Sequence, residues 1–373
     1  MSAPASAGGD RVLAVIDTAG VSGPGRQLTA LAGALAASGS ACRVVLFHRA
    51  GRPHPGFAEF LAAAGVDHVV LRERGRVDPG VVRALARTIA DFAPTVVQTH
   101  SYKANALVAL LRARGLRTPW IASFHGATTE DLKVRAFHWL DQRVMRRADA
   151  IVVMSAAHRA SIPGARVIYN ATIPPRASGA PLDTAPFRAR AMAAGAPLVG
   201  VVGRLSSEKG VDVFLDALAL LRDRGRAVHA LVAGDGPDRD ALKQQAERLG
   251  LADAVHFVGP VADVAALYPA LDAVVLPSRS EGLPNVLLEA LSADRPVVAT
   301  RVGAVPEVLT DAAAGVVVPP GDAPALADAI AAALSTAHDP AARAARAETA
   351  ARFSLARRVD AHRALYRELA ARA

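Results

Sequence analysis

The sequence predicts an α/β protein made of two doubly wound domains joined by one linker, with a cleft between them. Three observations carry that expectation. Short apolar runs alternate with longer helical patterns almost from end to end, the signature of βα units whose parallel sheets are covered on both faces. The alternation breaks once, in residues 171–196 (ATIPPRASGAPLDTAPFRARAMAAGA), where prolines accumulate and no clear period holds, as in a linker with one short helix. A chain of 373 residues also exceeds what one hydrophobic core usually serves.

Taken in order, the first series of apolar runs is RVLAVI (11–16), CRVVLF (42–47), DHVVLR (67–72), TVVQTH (95–100), PWIASFHG (119–126), AIVVMS (150–155) and RVIYN (166–170). Helical stretches such as RQLTALAGALAAS (26–38) and VVRALARTIADF (81–92) separate them. A second series follows the linker: PLVGVVGR (197–204), AVHALVAG (227–234), AVHFVG (254–259), AVVLPS (273–278), PVVAT (296–300) and AGVVVPP (314–320). The expected domains are therefore 1–180 and 181–352. The last stretch, FSLARRVDAHRALYRELAARA (353–373), has helical amphipathicity and either closes the second domain or crosses back to the first.

Composition places the chain among globular proteins, with 52% apolar and 21% charged residues. No run of about 18 uncharged apolar residues suggests a membrane span. The start, MSAPASAGGD, lacks the basic and apolar regions of a signal peptide and reads as a tail, and the single Cys42 has no disulfide partner; both favour the cytoplasm. The net charge of +9 is uneven. Residues 1–190 hold 24 Lys+Arg against 12 Asp+Glu, net +12, and residues 191–373 hold 19 against 22, net −3. A basic first half attracts nucleic acid, anionic lipid or phosphorylated small molecules. Nucleic acid is set aside, because aromatic residues are only 4% and no recognition motif interleaves with the arginines.

In open parallel sheets ligands bind beyond the carboxyl ends of the strands, so chemistry is sought there. One strand ends in Gly203-Arg204, and LSSEKG then brings Lys209 to a helix start; two cations near a helix N-terminus suit a diphosphate, or are solvated loop charges. VAGDGPDRDAL contains Asp238-x-Asp240, a spacing that can hold a metal, but acids in a first helical turn commonly only favour the helix dipole, and no metal is expected. In SRSEGLPNVLLEAL, Pro284 suits a first helical turn, which puts Glu281 in the loop before it and Glu289 more than a turn inside the helix. The two acids then hold different hydroxyl-bearing parts of one ligand, or are a cap acid and a structural acid. The first half offers VSGPGRQL with Gly23 and Arg26, QTHSYKAN with His100, Ser101, Lys103 and Asn105, and FHG with His125. Two histidines at separate strand ends point to a cleft role as readily as to structural ones. KVRAFHWLDQRVMRR (133–147) mixes Phe137, Trp139 and Leu140 with arginines, and either docks on an anionic membrane or packs on its own sheet with Arg snorkelling outward.

Together these residues resemble glycosyltransferase family 4, retaining enzymes of GT-B fold, in which two Rossmann-like domains face a central cleft. The resemblance covers nearly the whole chain. Its specific part is VVGRLSSEKGVDVFLDAL, VAGDGP and SRSEGLPNVLLEALSADRPVVATRVGAVPEVL, which matches the family's Glu-x7-Glu signature. The resemblance implies that Arg204 and Lys209 hold the donor diphosphate and that Glu281 faces the donor sugar. It puts Gly203 at the end of the donor strand, the amides of Gly282, Leu283, Pro284, Asn285 and Val286 at sugar and phosphate (Pro284, lacking an N–H, only shaping the turn), and Glu289 on the ribose. His125 would contact the sugar near the reacting centre, Gly23 would let a loop approach the β-phosphate, and Arg26, His100, Ser101 and Lys103 would line the acceptor cleft. The chain departs from the family at Ser22-Gly23-Pro24-Gly25, where two adjacent glycines are usual, and at NATIPP, where only Asn170 matches.

The implied activity is a metal-independent, hexosyltransferase-type transfer from a UDP-, GDP- or ADP-sugar, with no further cofactor. Two cations and a helix N-terminus stabilise the departing phosphate, and no carboxylate stands out as a nucleophile, which favours a front-face retaining route over a two-carboxylate mechanism. The +12 half favours a phosphorylated or lipid-linked acceptor, in surface polysaccharide or glycolipid assembly, at the cytoplasmic face of a membrane; a soluble natural product is the other acceptor class. Three alternatives stay open. They are a GT-B sugar-nucleotide epimerase, a catalytically silent GT-B binding protein, and an NAD-dependent oxidoreductase, although no Gly-x-Gly-x-x-Gly opens a helix after the first strand.

Overall fold

The computed structural model describes residues 9–372 except 19, 50–55, 76–77, 127–131, 174–181 and 262, and describes residues 132–137 by backbone only. The tail at 1–8, the middle of the linker and the side chains of Lys133, Arg135 and Phe137 thus lie outside the described residues. Two compact units emerge, Met1–Ala171 with Leu355–Ala373, and Thr172–Ser354.

The first unit runs β1 (Arg11–Ile16), α1 (Gly23–Ala37), β2 (Ala41–Arg49), α2 (Phe57–Ala63), β3 (Asp67–Glu73), α3 (Pro79–Phe92), β4 (Val96–Thr99), α4 (Tyr102–Ala113), β5 (Trp120–Phe124), α5 (Leu132–Met145), β6 (Ala150–Val153), α6 (Ala156–Ser161) and β7 (Arg166–Val167). Its seven parallel strands lie in the order β3-β2-β1-β4-β5-β6-β7. The order reverses between β1 and β4, so the crevice beyond their carboxyl ends is where a doubly wound sheet takes a ligand. Helix starts follow local chemistry: Ser22, Asp78, Ser101 and Ser155 each accept a hydrogen bond from a first-turn amide of α1, α3, α4 and α6. The strands are buried on both faces, which is why they read as continuous apolar runs.

The second unit runs α7 (Ala185–Ala193), β8 (Leu198–Val202), α8 (Val211–Asp223), β9 (His229–Ala233), α9 (Arg239–Arg248), β10 (Val255–Gly259), β11 (Ala273–Leu276), α10 (Asn285–Ser292), β12 (Val297–Thr300), α11 (Val305–Val308), β13 (Gly315–Val318), α12 (Ala323–Ser335) and α13 (Pro340–Arg352). Six parallel strands lie in the order β10-β9-β8-β11-β12-β13, with the reversal between β8 and β11. The core packs Phe214, Leu215 and Leu218 of α8 and Leu326 and Ile330 of α12 on one face of that sheet.

The closing helix α14 (Leu355–Ala370) belongs to the first unit and packs on α1. The chain therefore leaves and re-enters that unit at Ala171/Thr172 and Ser354/Leu355, not at 180/181 and 352/353 as the sequence suggested. Hydrogen bonds set the junction. Ala171 is clamped by the Gln27 amide (N to Oε1 2.9 Å, O from Nε2 2.8 Å), whereas Thr172 N donates to Phe353 O at 2.7 Å. The run RVIYN forms a strand only over its first two residues, because β7 is the sheet's last strand and the chain turns away toward that clamp.

Candidate functional site

In the second unit the loops after β8 and β11, the pair at the strand reversal, are laced together. Gly203 N donates to Ala233 O at 2.9 Å, and a 3-10 turn, Ser207–Lys209, leads to Gly210. Gly210 has φ 64, and a Cβ there would lie 2.1 Å from the Pro277 carbonyl oxygen, so only glycine permits this approach. Arg279 fastens the other side: its guanidinium donates to both Asp212 carboxylate oxygens at 2.8 and 2.5 Å, and its amide donates to Glu208 O at 2.7 Å.

This lacing puts Lys209 and Glu281, 72 residues apart, in contact. Lys209 Nζ donates to Glu281 Oε1 at 2.6 Å, and Ser278 Oγ donates to the same oxygen at 2.7 Å. The pair is partly enclosed, with side chains 28% and 12% exposed, so its charges interact more strongly than a surface pair would. Glu281 Oε2 has no partner among the described residues, so one carboxylate oxygen is held and the other is left to accept further hydrogen bonds. Gly303 backs the segment: a Cβ there would sit 2.2 Å from Gly282 O, and Ala304 N donates to that oxygen at 2.8 Å. Arg204 is exposed, and its guanidinium makes no hydrogen bond or ion pair with any other described residue. It lies two residues past the end of β8, a cation without a counter-ion among the described residues.

Pro284 is the residue that caps α10 (φ −68, ψ 126), not a member of its first turn as the sequence suggested; the helix begins one residue later, at Asn285. The correction follows from ψ, which is extended, as for a residue before a helix rather than within one. It leaves the expected separation intact: Glu281 lies in the loop, and Glu289 lies in the second turn of α10. Gly282 and Val286 are half-buried in the loop and first turn, and Leu283 is buried. Glu289 Oε2 accepts from the buried Tyr268 hydroxyl at 2.7 Å, a partner that no sequence spacing announced. Asp238, of the Asp-x-Asp, precedes α9 and Asp240 lies in its first turn.

In the first unit, Gly23 opens α1 and Arg26 lies a turn further on, its guanidinium 5.8 Å from the Phe60 ring centroid. Ser101 spends its hydroxyl on the start of α4, accepting from Ala104 N at 3.4 Å and from Asp17 N at 3.1 Å. Lys103 pairs with the buried Glu73, lies 3.8 Å from Asp17, and its ammonium sits 4.2 Å from the Phe47 ring centroid. Both residues stand at the strand ends as expected, with their polar groups already engaged. His100 and His125 meet: Nδ1 of one and Nε2 of the other are 3.0 Å apart and the rings stack at 5.3 Å between centroids. Burial pushes the His125 imidazole down to about 3, helped by Arg358 and His158, and burial, His125, Arg358 and His362 hold His100 well below the usual range. The pair is therefore uncharged near neutral pH.

The basic surplus of this unit lies elsewhere. Arg114, Arg117, Arg146 and Arg147 are exposed beyond the carboxyl ends of α4 and α5, which is the edge where the strands begin. On α5, Trp139 and Leu140 are 57% and 52% exposed, and the Arg143 guanidinium lies 4.2 Å from the Trp139 ring centroid.

Comparison with known proteins meets this geometry. Residues 22–175 match the family model described as a glycosyl transferase 4-like domain, and residues 196–336 match the model for glycosyl transferases group 1. The chain belongs to glycosyltransferase family 4. The two matched segments correspond to the two sheet units. Among curated relatives of this family 4 chain, alpha-D-kanosaminyltransferase of Streptomyces kanamyceticus is 33% identical over 247 residues, covering 62% of this chain and 63% of that protein. The lipopolysaccharide core biosynthesis mannosyltransferase LpsB of Rhizobium meliloti is 33% identical over 197 residues, covering 51% and 56%. The family 4 chain thus spans less than two thirds of the length of these relatives. Among solved structures, Anabaena HepE in complex with UDP-glucose superposes with a TM-score of 0.79 at 23% identity, over 95% of this chain and 98% of that one, which establishes the GT-B fold.

Proposed function

We propose that this chain moves a sugar, with retention, from a nucleotide-diphosphate sugar to an acceptor hydroxyl. The residues 172–354 unit would take the donor and the other unit the acceptor. The observation that carries this is the Lys209–Glu281–Ser278 cluster at the β8/β11 reversal, with Arg204, on the loop after β8, lacking any counter-ion among the described residues. Arg204 and Lys209 supply positive charge where the leaving diphosphate gains negative charge, and Glu281 Oε2 accepts from a sugar hydroxyl. These side chains stabilise the leaving group without a metal, and the departing phosphate itself takes the acceptor proton. Glu289, anchored by Tyr268, binds the ribose hydroxyls, and neutral His125 contacts the sugar.

A thermal-shift panel of UDP-, GDP- and ADP-sugars tests the reading, with UDP-sugars first because HepE was crystallised with UDP-glucose. One donor class raises the melting temperature and NAD(P) does not, Arg204→Ala removes the shift, and the product keeps the donor's anomeric configuration. A shift with NAD(P) instead, or unchanged transfer by Arg204→Ala, overturns the assignment. Release of an epimerised nucleotide sugar without acceptor identifies the epimerase alternative.

A phosphorylated or lipid-linked acceptor is supported by the arginine surplus and by the exposed Trp139 and Leu140, which favour docking on an anionic membrane. No helix among the described residues is long and apolar enough to cross one. The chain is expected to sediment with phosphatidylglycerol vesicles at low salt and not with phosphatidylcholine vesicles, and Trp139→Ala with Leu140→Ala should weaken this. Absence of sedimentation with anionic vesicles overturns the membrane proposal.

A further inference from the structure

A concavity of about 620 Å3 lies at the edge of the first sheet where the strands begin, formed by the loop between α4 and β5, the residue before β6 and the end of α14. The five residues of β5, about 16 Å long at about 3.3 Å each, separate it from His125 at the carboxyl end.

The hydrogen-bonding capacity left in this concavity belongs to donors, because the acid that lines it is already saturated. Asp149 accepts from the Arg112 guanidinium with both oxygens, at 2.6 and 3.0 Å, and from Trp120 N at 2.7 Å. This bidentate pair fixes the plane of the guanidinium, which also donates from Nη1 to Thr118 O at 3.3 Å. The Arg112 Nε–H and one N–H of Nη2 make no bond among the described residues. Arg117 lines the same concavity, and neither its guanidinium nor its backbone amide has a hydrogen-bond partner among the described residues.

Helix α14 supplies the rest. It is anchored along its length, as Arg358 Nη1 donates to Gln27 O at 3.1 Å and Tyr366 OH to Gln98 Oε1 at 2.9 Å. Its last turn brings Leu369 to the concavity, which Leu116 also lines, and Arg372 follows. Arg372 shares Glu368 with Arg166, each at 2.6 Å, so one carboxylate answers two guanidinium groups. The concavity is thus lined by three guanidinium groups against one carboxylate, and Arg114, Arg146 and Arg147, exposed at the same edge, add to its positive potential.

We propose that this concavity binds a phosphate ester, with Arg112 and Arg117 donating to the phosphate oxygens, Arg372 adding charge, and Leu116 and Leu369 meeting the carbon body. Fork-shaped guanidinium groups select phosphate over halide, which cannot accept two parallel hydrogen bonds. The site is separate from sugar transfer, since none of these residues stands at the carboxyl ends of the strands. The ester is either a free metabolite or the headgroup of an anionic lipid, which present the same chemistry.

Titration calorimetry of the full chain at low salt, with sn-glycerol 3-phosphate as the probe, tests this. Saturable binding is expected, with none for glycerol. Arg117→Gln should weaken it about tenfold and Arg372→Gln about threefold, while Arg204→Ala leaves it unchanged and Arg117→Gln keeps native sugar transfer. Arg112 is left intact, because its removal would strand Asp149. Absence of saturable binding overturns the proposal. So does native affinity in both arginine variants, or loss of binding in Arg204→Ala, which would place the probe in the donor site. Sedimentation with phosphatidylglycerol vesicles then assigns the source. A smaller sedimented fraction for Arg117→Gln than for the native chain supports the proposal with a lipid headgroup as ligand, and equal fractions beside weakened glycerol 3-phosphate binding support it with a free ester.

Discussion

Lys209→Ala is expected to lower kcat/KM for sugar transfer by about 10²–10³-fold, equivalent to about 3–4 kcal/mol of lost transition-state stabilisation. The ammonium is proposed to face a diphosphate whose charge grows as the sugar departs, so kcat falls more than donor affinity. Its loss also leaves Glu281, held only by Ser278 Oγ at 2.7 Å, as an unneutralised carboxylate beside the phosphates. That second consequence separates the two roles. Adding Glu281→Gln to Lys209→Ala should restore part of the donor binding lost in the single variant, a non-additivity expected of groups in contact at 2.6 Å. Steady-state kinetics give the first result and donor titration calorimetry the second. A Lys209→Ala variant within about threefold of the native kcat/KM would remove the lysine from the mechanism.

The parts of this site that the sequence displayed are those that local chemistry determines. Parallel strands buried on both faces read as apolar runs, and the residues at or after their carboxyl ends, Gly203 and Glu281 for one sheet and His100 and His125 for the other, could be placed beyond those ends from that alone. The separation of Glu281 from Glu289 followed from Pro284, even though the proline proved to be one position outside the helix. Pairings between distant loops were not visible. Nothing near Lys209 announces Glu281, because the contact is made by Gly210 passing under Pro277 and by Arg279 reaching Asp212. Tyr268 and Glu289 are a similar case, since a buried tyrosine finds its partner only when the elements are packed.

Charge was the least legible quantity. A count of +12 in residues 1–190 does not say which edge of the sheet carries it: the strand-end cations Lys103 and Arg49 both face Glu73, while Arg114, Arg117, Arg146 and Arg147 stand at the opposite edge. Arg358 shows the same limit within a helix. In an amphipathic pattern an arginine reads as a solvated residue, and here its partner, Gln27, is 331 residues away in sequence. Only the folded unit shows that the polar stripe of α14 is turned inward upon Gln98 and Gln27.

Stability should fall steeply between pH 7 and pH 5. Burial, followed by Arg358, holds both His125 and His362 at about 3 in the folded chain, whereas an unfolded histidine titrates near 6.5. The sign follows from proton counting. Below about pH 6.5 the unfolded chain binds a proton at each site that the folded chain refuses, so stability is complete above the unfolded value and is lost as pH falls toward the folded one. At pH 5 each site costs about 2 kcal/mol, about 4 kcal/mol for the two, a large share of the 5–15 kcal/mol typical of a folded domain. His100, also depressed, adds in the same direction. Asp17 and Asp141, raised by burial, bind protons more readily when folded and offset part of the slope from its acid end. Urea unfolding at pH 7 and pH 5 measures the difference, and His362→Gln should remove about half of the two-site share. Equal stability at the two pH values would mean that these imidazoles accept protons in place, and the neutral His100–His125 pair would lose its physical basis.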